Sequence, residues 1–137
     1  MKAWEPKELT VSYHQITVHP KGEKPPVINW TKEAMKNGFA IAEGAVSFQA
    51  PVNAKAVIEV SLDVPGEVWH SDRHISVPFE LKQDGLSIQS DMTNKLEYDL
   101  PPGSFLLTCY IIPLEVHLIK YLFAFQSLND ENSAILG

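Results

Sequence analysis

His74-Ile75-Ser76-Val77-Pro78-Phe79-Glu80-Leu81, residues 74–81, decides the fold. Ile75, Val77, Phe79 and Leu81 fall on one side of an extended chain, and His74, Ser76, Pro78 and Glu80 fall on the other. Successive side chains of a strand point to opposite faces, so this period of two predicts a half-buried strand. Pro78 cannot donate to a ladder and places the strand at a sheet edge or a bulge. Gln83-Asp84-Gly85 follows, and then Leu86 and Ile88 alternate again. Asp-Gly between two alternating runs predicts a hairpin.

The same period recurs on both sides of this stretch. Ala56, Ile58, Val60 and Leu62 share one face, opposite Lys55, Glu59, Ser61 and Asp63. Leu96, Tyr98 and Leu100 form a further strand, and Pro101-Pro102-Gly103 turns the chain. Residues 104–112 are apolar on both faces, which suits a central strand ended by Pro113. Ile119, Tyr121, Phe123 and Phe125 share a face of the last strand, and the tail Asn129–Gly137 is expected to be loose.

Toward the N-terminus, Leu9, Val11 and Tyr13 alternate, and the phase then shifts to Ile16 and Val18. A bulge or bend near His14-Gln15 accounts for the shift. Residues 19–26 read as a loop. Thr31 as start cap, Glu33 in the first turn and Asn37-Gly38 as a stop predict one short helix near residues 32–37. Val46 and Phe48 open another strand. With no alternation of helix and strand, the expectation is an all-β fold: an antiparallel β-sandwich of about eight strands with one short helix, forming a single domain over residues 1–137.

Charge bounds the partners. The chain has 137 residues and a formal net charge of −6. Residues 1–36 hold six Lys and four Glu, whereas residues 37–137 hold five Lys/Arg and thirteen Asp/Glu. An acidic body repels nucleic acid and anionic membranes and attracts basic protein surfaces. It also serves plain solubility. The richest apolar stretch, Phe105 to Leu128, is broken by Pro113, Glu115, His117 and Lys120, so no ordinary membrane span is expected. The start of the chain has charges where a secretory signal needs an apolar run, and the one cysteine, Cys109, cannot form an internal disulfide. Both features point to the cytoplasm. Cys109 lies in an apolar run, where burial disfavours the reactive thiolate.

Short catalytic signatures are missing. There is no Walker loop, dinucleotide glycine pattern, Gly-x-Ser-x-Gly elbow, His-Glu-x-x-His or Cys pair for zinc. No enzyme activity and no cofactor are expected. His70, Asp72 and His74 fall on one side of an extended chain and could face a metal, but Arg73 puts a cation among them. The plainer reading is a polar loop entering a strand. Ser12, His14 and Asp63 could be drawn as a triad, without the strained nucleophile turn that would support it. Trp69 stands among Glu67, His70 and Asp72 in a loop between strands. It reads either as an aromatic anchor for a basic partner or as a cap on the sandwich core. Trp4 and Trp30 are expected to pin polar, Pro-rich segments onto the sheet.

Several segments together resemble a known family. They are Trp4-Glu5-Pro6-Lys7-Glu8-Leu9, Ser12-Tyr13-His14-Gln15, Pro25-Pro26-Val27 with Trp30-Thr31, Glu33-Ala34 with Gly38-Phe39-Ala40, Val77-Pro78-Phe79, and Leu100-Pro101 with Gly103 and Leu107-Thr108-Cys109. Their order and spacing, from about residue 3 to residue 113, resemble the competence protein J family of bacilli, the DNA-entry nuclease inhibitors. The resemblance implies a small intracellular protein that binds and inhibits a nuclease involved in DNA uptake, and it carries over no functional residue. The residues themselves suggest Glu67, Trp69, Asp72, Asp84 and Asp91 as partner contacts, since acids on loops can take the places of phosphates in a basic, metal-containing groove. The alternative is a β-sandwich module for a small ligand, a carbohydrate or a metal, using exposed aromatics or the His-Asp-His cluster.

Overall fold

Alternating apolar residues need a second surface to bury against, and here each of two sheets supplies the other's. The computed structural model describes residues 1–64, 73–91 and 94–128. Within them are β1 (Lys2–Ala3), β2 (Lys7–Thr10), β3 (Gln15–Pro20), α1 (Lys32–Asn37), β4 (Phe39–Ala42), β5 (Ala45–Gln49), β6 (Lys55–Leu62), β7 (Arg73–Leu81), β8 (Leu86–Gln89), β9 (Lys95–Tyr98), β10 (Gly103–Glu115) and β11 (Leu118–Leu128). The large sheet has the order β1-β6-β11-β10-β7, with β2 also paired to β6. The small sheet has the order β4-β5-β3-β8-β9. All pairings are antiparallel except β11 with β6, which is parallel from Ile119↔Ala56 to Phe125↔Leu62.

The expected sandwich with one short helix is therefore the architecture. The strand tally exceeds eight because the short pieces β1, β2, β4 and β9 pair at the sheet edges. Inward residues include those the alternation named: Ile58 and Val60, Val77 and Leu81, Tyr121 and Phe123 are all buried, and Leu107 and Cys109 of the doubly apolar run join them. Phe79, Phe105 and Phe125 meet edge to face, with ring centroids 6.1 and 5.7 Å apart. Each such buried side chain contributes roughly 1.5–3 kcal/mol of transfer free energy. The helix starts at Thr31, whose hydroxyl accepts from the Ala34 N–H at 3.0 Å, and ends at Gly38 in the left-handed region at φ 85°. Arg73 then caps it by donating to the Asn37 carbonyl at 2.8 Å.

β7 lies at the edge of the large sheet, as Pro78 requires. Two expectations are corrected. Gln83-Asp84-Gly85 is not a hairpin turn: β7 pairs with β10 in the large sheet, and β8 pairs with β3 and β9 in the small one. The Gly85 N–H donates to the Leu100 carbonyl at 2.9 Å and its carbonyl accepts from Lys21 at 3.0 Å, so non-local partners claim the turn's backbone. Pro113 does not end β10 either. The strand continues to Glu115, with the register against β11 shifting between Pro113 and Glu115, and a bulge is one place where a strand admits proline.

Trp4 and Trp30 act as pins. The indole N–H of Trp4 donates to Asp99 at 2.8 Å, and its ring stands edge-on to Tyr98 at 5.9 Å. The Trp30 indole donates to Gln15 Oε1 at 2.8 Å.

Cys109 is fully buried, and burial pushes its thiol up. Burial also pushes the Tyr98 phenol up to about 12. For both groups the folded state holds its proton after the unfolded chain has released it. Their contributions are fully present below the unfolded pKa and are lost as pH rises above it. Stability is therefore expected to fall above about pH 8.5 for the thiol and above about pH 10 for the phenol. Cys109→Ala is expected to lower stability at pH 7 by roughly 1–2 kcal/mol through lost packing. It should also flatten the fall between about pH 8.5 and 10. Urea unfolding of both proteins at three pH values measures this; an unchanged slope counts against it.

Candidate functional site

The described acids separate into those held by neighbouring donors and those without an ion pair. Asp99 accepts from Lys2 at 2.9 Å and from Trp4 at 2.8 Å, and these bonds hold its carboxyl below the usual range. Glu59 is paired with Lys120 at 2.6 Å and Glu8 with Lys55 at 3.4 Å. Asp63 accepts from Ser127 through both carboxylate oxygens, at 2.7 and 2.6 Å. Asp91, proposed from the sequence as a partner contact, is half-buried. It accepts from the Ser12 hydroxyl and the Asn94 N–H, each at 3.2 Å, so it also holds its loop to the strand entry across the sheet.

Asp84 is different. It is exposed on the corner that carries the chain from β7 to β8. Gly85 makes that corner tight at φ 99°, and Gln83 ties it to the residue after β3 by donating to the Lys21 carbonyl at 2.8 Å. Beside the corner an open cleft of about 640 Å³ separates the β7 edge from the β4–β5 turn. Glu23, Glu43 and Glu80 line it with Lys24, Lys82 and the exposed Ile41. Among the described residues none of these three carboxylates is ion-paired. The sequence reading passed over them, because they come from three distant segments that only the facing sheet edges bring together.

Glu67, Trp69 and Asp72, the other candidate contacts, lie outside the described residues, as does His70. His74 is exposed, with its ring 5.7 Å from that of Tyr110. Among the described residues no group of three His, Cys, Asp or Glu side chains could hold a metal ion. Ser12, His14 and Asp63 form no relay: their side chains go to Asp91, the Ala50 carbonyl and Ser127 respectively.

The second distinctive place is the bend foreseen near His14. Tyr13 and His14 make a two-residue turn bridged by Ser12 and Gln15, with φ of 57° and 52°. Left-handed backbone costs a non-glycine residue on the order of 1–2 kcal/mol. Surrounding bonds hold it there. The Ser12 N–H donates to Ser90 Oγ at 2.6 Å, and that hydroxyl lies 2.8 and 2.7 Å from the Ser12 and Gln15 carbonyls. The His14 N–H donates to Asn53 at 2.8 Å, and Ala50 N–H donates to the His14 carbonyl at 2.7 Å. Tyr13 itself is 78% exposed. The phase shift was the only trace of this turn in the sequence.

Ser90→Ala removes the hydroxyl that serves three backbone groups of the turn. It is expected to cost about 1–3 kcal/mol, because the half-buried Ser12 N–H loses its acceptor. Thermal melting measures it, and a melting temperature equal to wild type would show that the turn holds without Ser90.

Comparison with known proteins agrees with the geometry. The family model described as competence protein J (ComJ) matches residues 8–126. The DNA-entry nuclease inhibitor of Bacillus subtilis (strain 168) is 43% identical over 116 residues, covering 85% of this chain and 88% of the relative. A crystal structure of ComJ, inhibitor of the DNA degrading activity of NucA, from Bacillus subtilis superposes with a TM-score of 0.86 at 40% identity, over 93% of this chain and 98% of that one. A protein described as crocagin biosynthetic gene J shares the fold alone, with a TM-score of 0.57 at 11% identity over 94% of this chain. The chain belongs to the competence protein J family.

Proposed function

We propose that the chain is a proteinaceous inhibitor of a DNA-entry nuclease and not itself an enzyme. The observation that carries this reading is the near full-length match, in sequence and in fold, to a relative that inhibits the DNA degrading activity of NucA. Two features of the molecule support it. The Ser12, His14 and Asp63 side chains go to separate partners and form no relay. Exposed carboxylates gather at the corner of Asp84 and in the cleft of Glu23, Glu43 and Glu80.

A nuclease groove presents Lys, Arg and commonly a divalent cation to the phosphates of DNA. Carboxylates on rigid corners can occupy those phosphate positions, and complementary charge speeds encounter. In this reading Glu67, Asp72, Asp84 and Asp91 supply the charge, with Asp91 doing so from a braced position, and Trp69 supplies an apolar anchor. The occupant is the nuclease, with no direct contact to nucleic acid. Among the described residues no helix is long and apolar enough to cross a membrane. A cytoplasmic location suits the single buried thiol.

The test is cleavage of plasmid DNA by NucA with increasing amounts of the purified chain. Cleavage should stop near one equivalent, and full cleavage at excess chain would overturn the reading. Charge reversals then map the surface. Glu67→Lys, Asp72→Lys and Asp84→Lys are each expected to slow association, with the loss shrinking as salt screens over roughly 8 Å at physiological ionic strength. Trp69→Ala should instead speed dissociation, by the equivalent of about 2 kcal/mol, if the ring is an anchor. Unchanged rates in all four would place the inhibitory surface elsewhere.

A further inference from the structure

The outer face of the small sheet is polar yet enclosed. Thr17, His19, Ser47 and Gln89 point away from the core and are still buried. The segment that covers them, residues 21–31, is polar and Pro-rich, and Trp30 fastens it to Gln15. Where this cover meets the Tyr13-His14 turn, an open groove of about 700 Å³ remains. Its walls include Tyr13, Val27, Trp30 and Asp91. Asp91 is the one charged residue among the described residues that line it, and no Lys, Arg or His is among them.

Two large apolar side chains stand out beside this anionic groove: Val27 is 96% exposed and Tyr13 is 78% exposed. Single exposed apolar residues are ordinary on a protein surface. Tyr13 is set apart by its backbone. It is held at φ 57°, a conformation a bulky residue avoids, by hydrogen bonds that its neighbours Ser12 and His14 donate to Ser90 and Asn53 and that His14 accepts from Ala50. Strain that the surroundings over-determine concentrates at binding and switch sites. A fixed turn also presents its ring without losing backbone freedom on binding.

We propose that the groove between Tyr13 and Val27 is a docking site for a basic side chain of the nuclease, with the Tyr13 ring as its anchor; this rests on the inhibitor reading above. The chemistry fits a Lys or Arg in two ways. Among the described residues that line the groove, the one charge is that of Asp91 and is negative. The rings of Tyr13 and Trp30 line the same groove, and aromatic rings attract cations. The site is separate from the Asp84 corner and gives the interface an aromatic hot spot that charge alone would not supply.

The test uses Tyr13→Asn, because Asn tolerates the left-handed backbone and keeps the turn while removing the ring. Inhibition of NucA by this variant is expected to weaken by roughly thirtyfold, with the melting temperature unchanged or higher. Val27→Lys and Val27→Glu lose the same apolar surface and differ in charge. The lysine variant should inhibit more weakly than the glutamate variant, and the gap should close in high salt. Full inhibition by Tyr13→Asn overturns the anchor, while the unaltered chain's inhibition keeps the inhibitor reading intact. Equal or reversed Val27 variants overturn the basic occupant. A dimer of the chain that Tyr13→Asn dissolves with inhibition retained assigns the surface to a second copy and overturns the proposal. An unaltered chain that leaves NucA active overturns both readings.

Discussion

Two sheets that share one core force the chain to cross the gap of about 10 Å between them. It does so four times, from β2 to β3, β5 to β6, β7 to β8 and β9 to β10. Each crossing breaks the ladder and leaves backbone groups that a sheet would otherwise pair, and those groups must find partners near the sandwich rim. Much of what is specific to this molecule answers that demand. Ser90 and Asn53 serve the first crossing, and the Gly85 backbone bonds serve the third. The Ala50 N–H and His14 carbonyl join the first crossing to the second, and Val11 reaches Ala54 at 3.0 Å beside them. Hydrogen bonds therefore tie these corners to the sheets, and they carry Asp84 and Tyr13.

This placement explains why a β-sandwich suits inhibition. A surface that must match a rigid groove gains most when its contacts are fixed beforehand, because ordering loops on binding costs free energy. The cleft acids Glu23, Glu43 and Glu80 hang from a loop, a hairpin turn and an edge strand, so their spacing follows from how the two sheets pack. The braced acids Asp63, Asp91 and Asp99 occupy ends and corners where an unsatisfied N–H, hydroxyl or ammonium needs an acceptor. Acidity in this chain thus has two roles, and only partner geometry separates them.

The sequence made the strands legible because their signal is local. Ile75, Val77, Phe79 and Leu81 declare their face without reference to any other segment, and Thr31 with Gly38 brackets a helix within eight positions. What depended on distant partners was hidden. Asp84-Gly85 has the composition of a hairpin turn, but Leu100 and Lys21 take its backbone into a crossing. Pro113 reads as a stop until β11 is seen to accommodate it at a register shift. The parallel pairing of β6 with β11 joins segments over fifty residues apart and leaves no mark in either alone. Of the candidate contacts, Asp84 was legible as an exposed acid. The bracing role of Asp91 was not, because its partner Ser12 lies 79 residues away. Tyr13 left only a phase shift, since a period of two records a turn without recording strain.

The position of Pro78 bears on how the molecule behaves when crowded. β7 is nine residues long, alternating and at a sheet edge, the kind of strand that recruits copies of itself into growing intermolecular sheets. Pro78 stands opposite Leu106 of β10, and an edge strand admits proline where the missing N–H would face away from the partner strand. An incoming strand would meet a gap in the row of donors at the middle of the template. Arg73, turned toward the end of α1, and the charge of Glu80 guard its two ends. The same edge that borders the acidic cleft is thereby protected against fibrous assembly, and the open side of the sandwich stays available to a partner of a different kind.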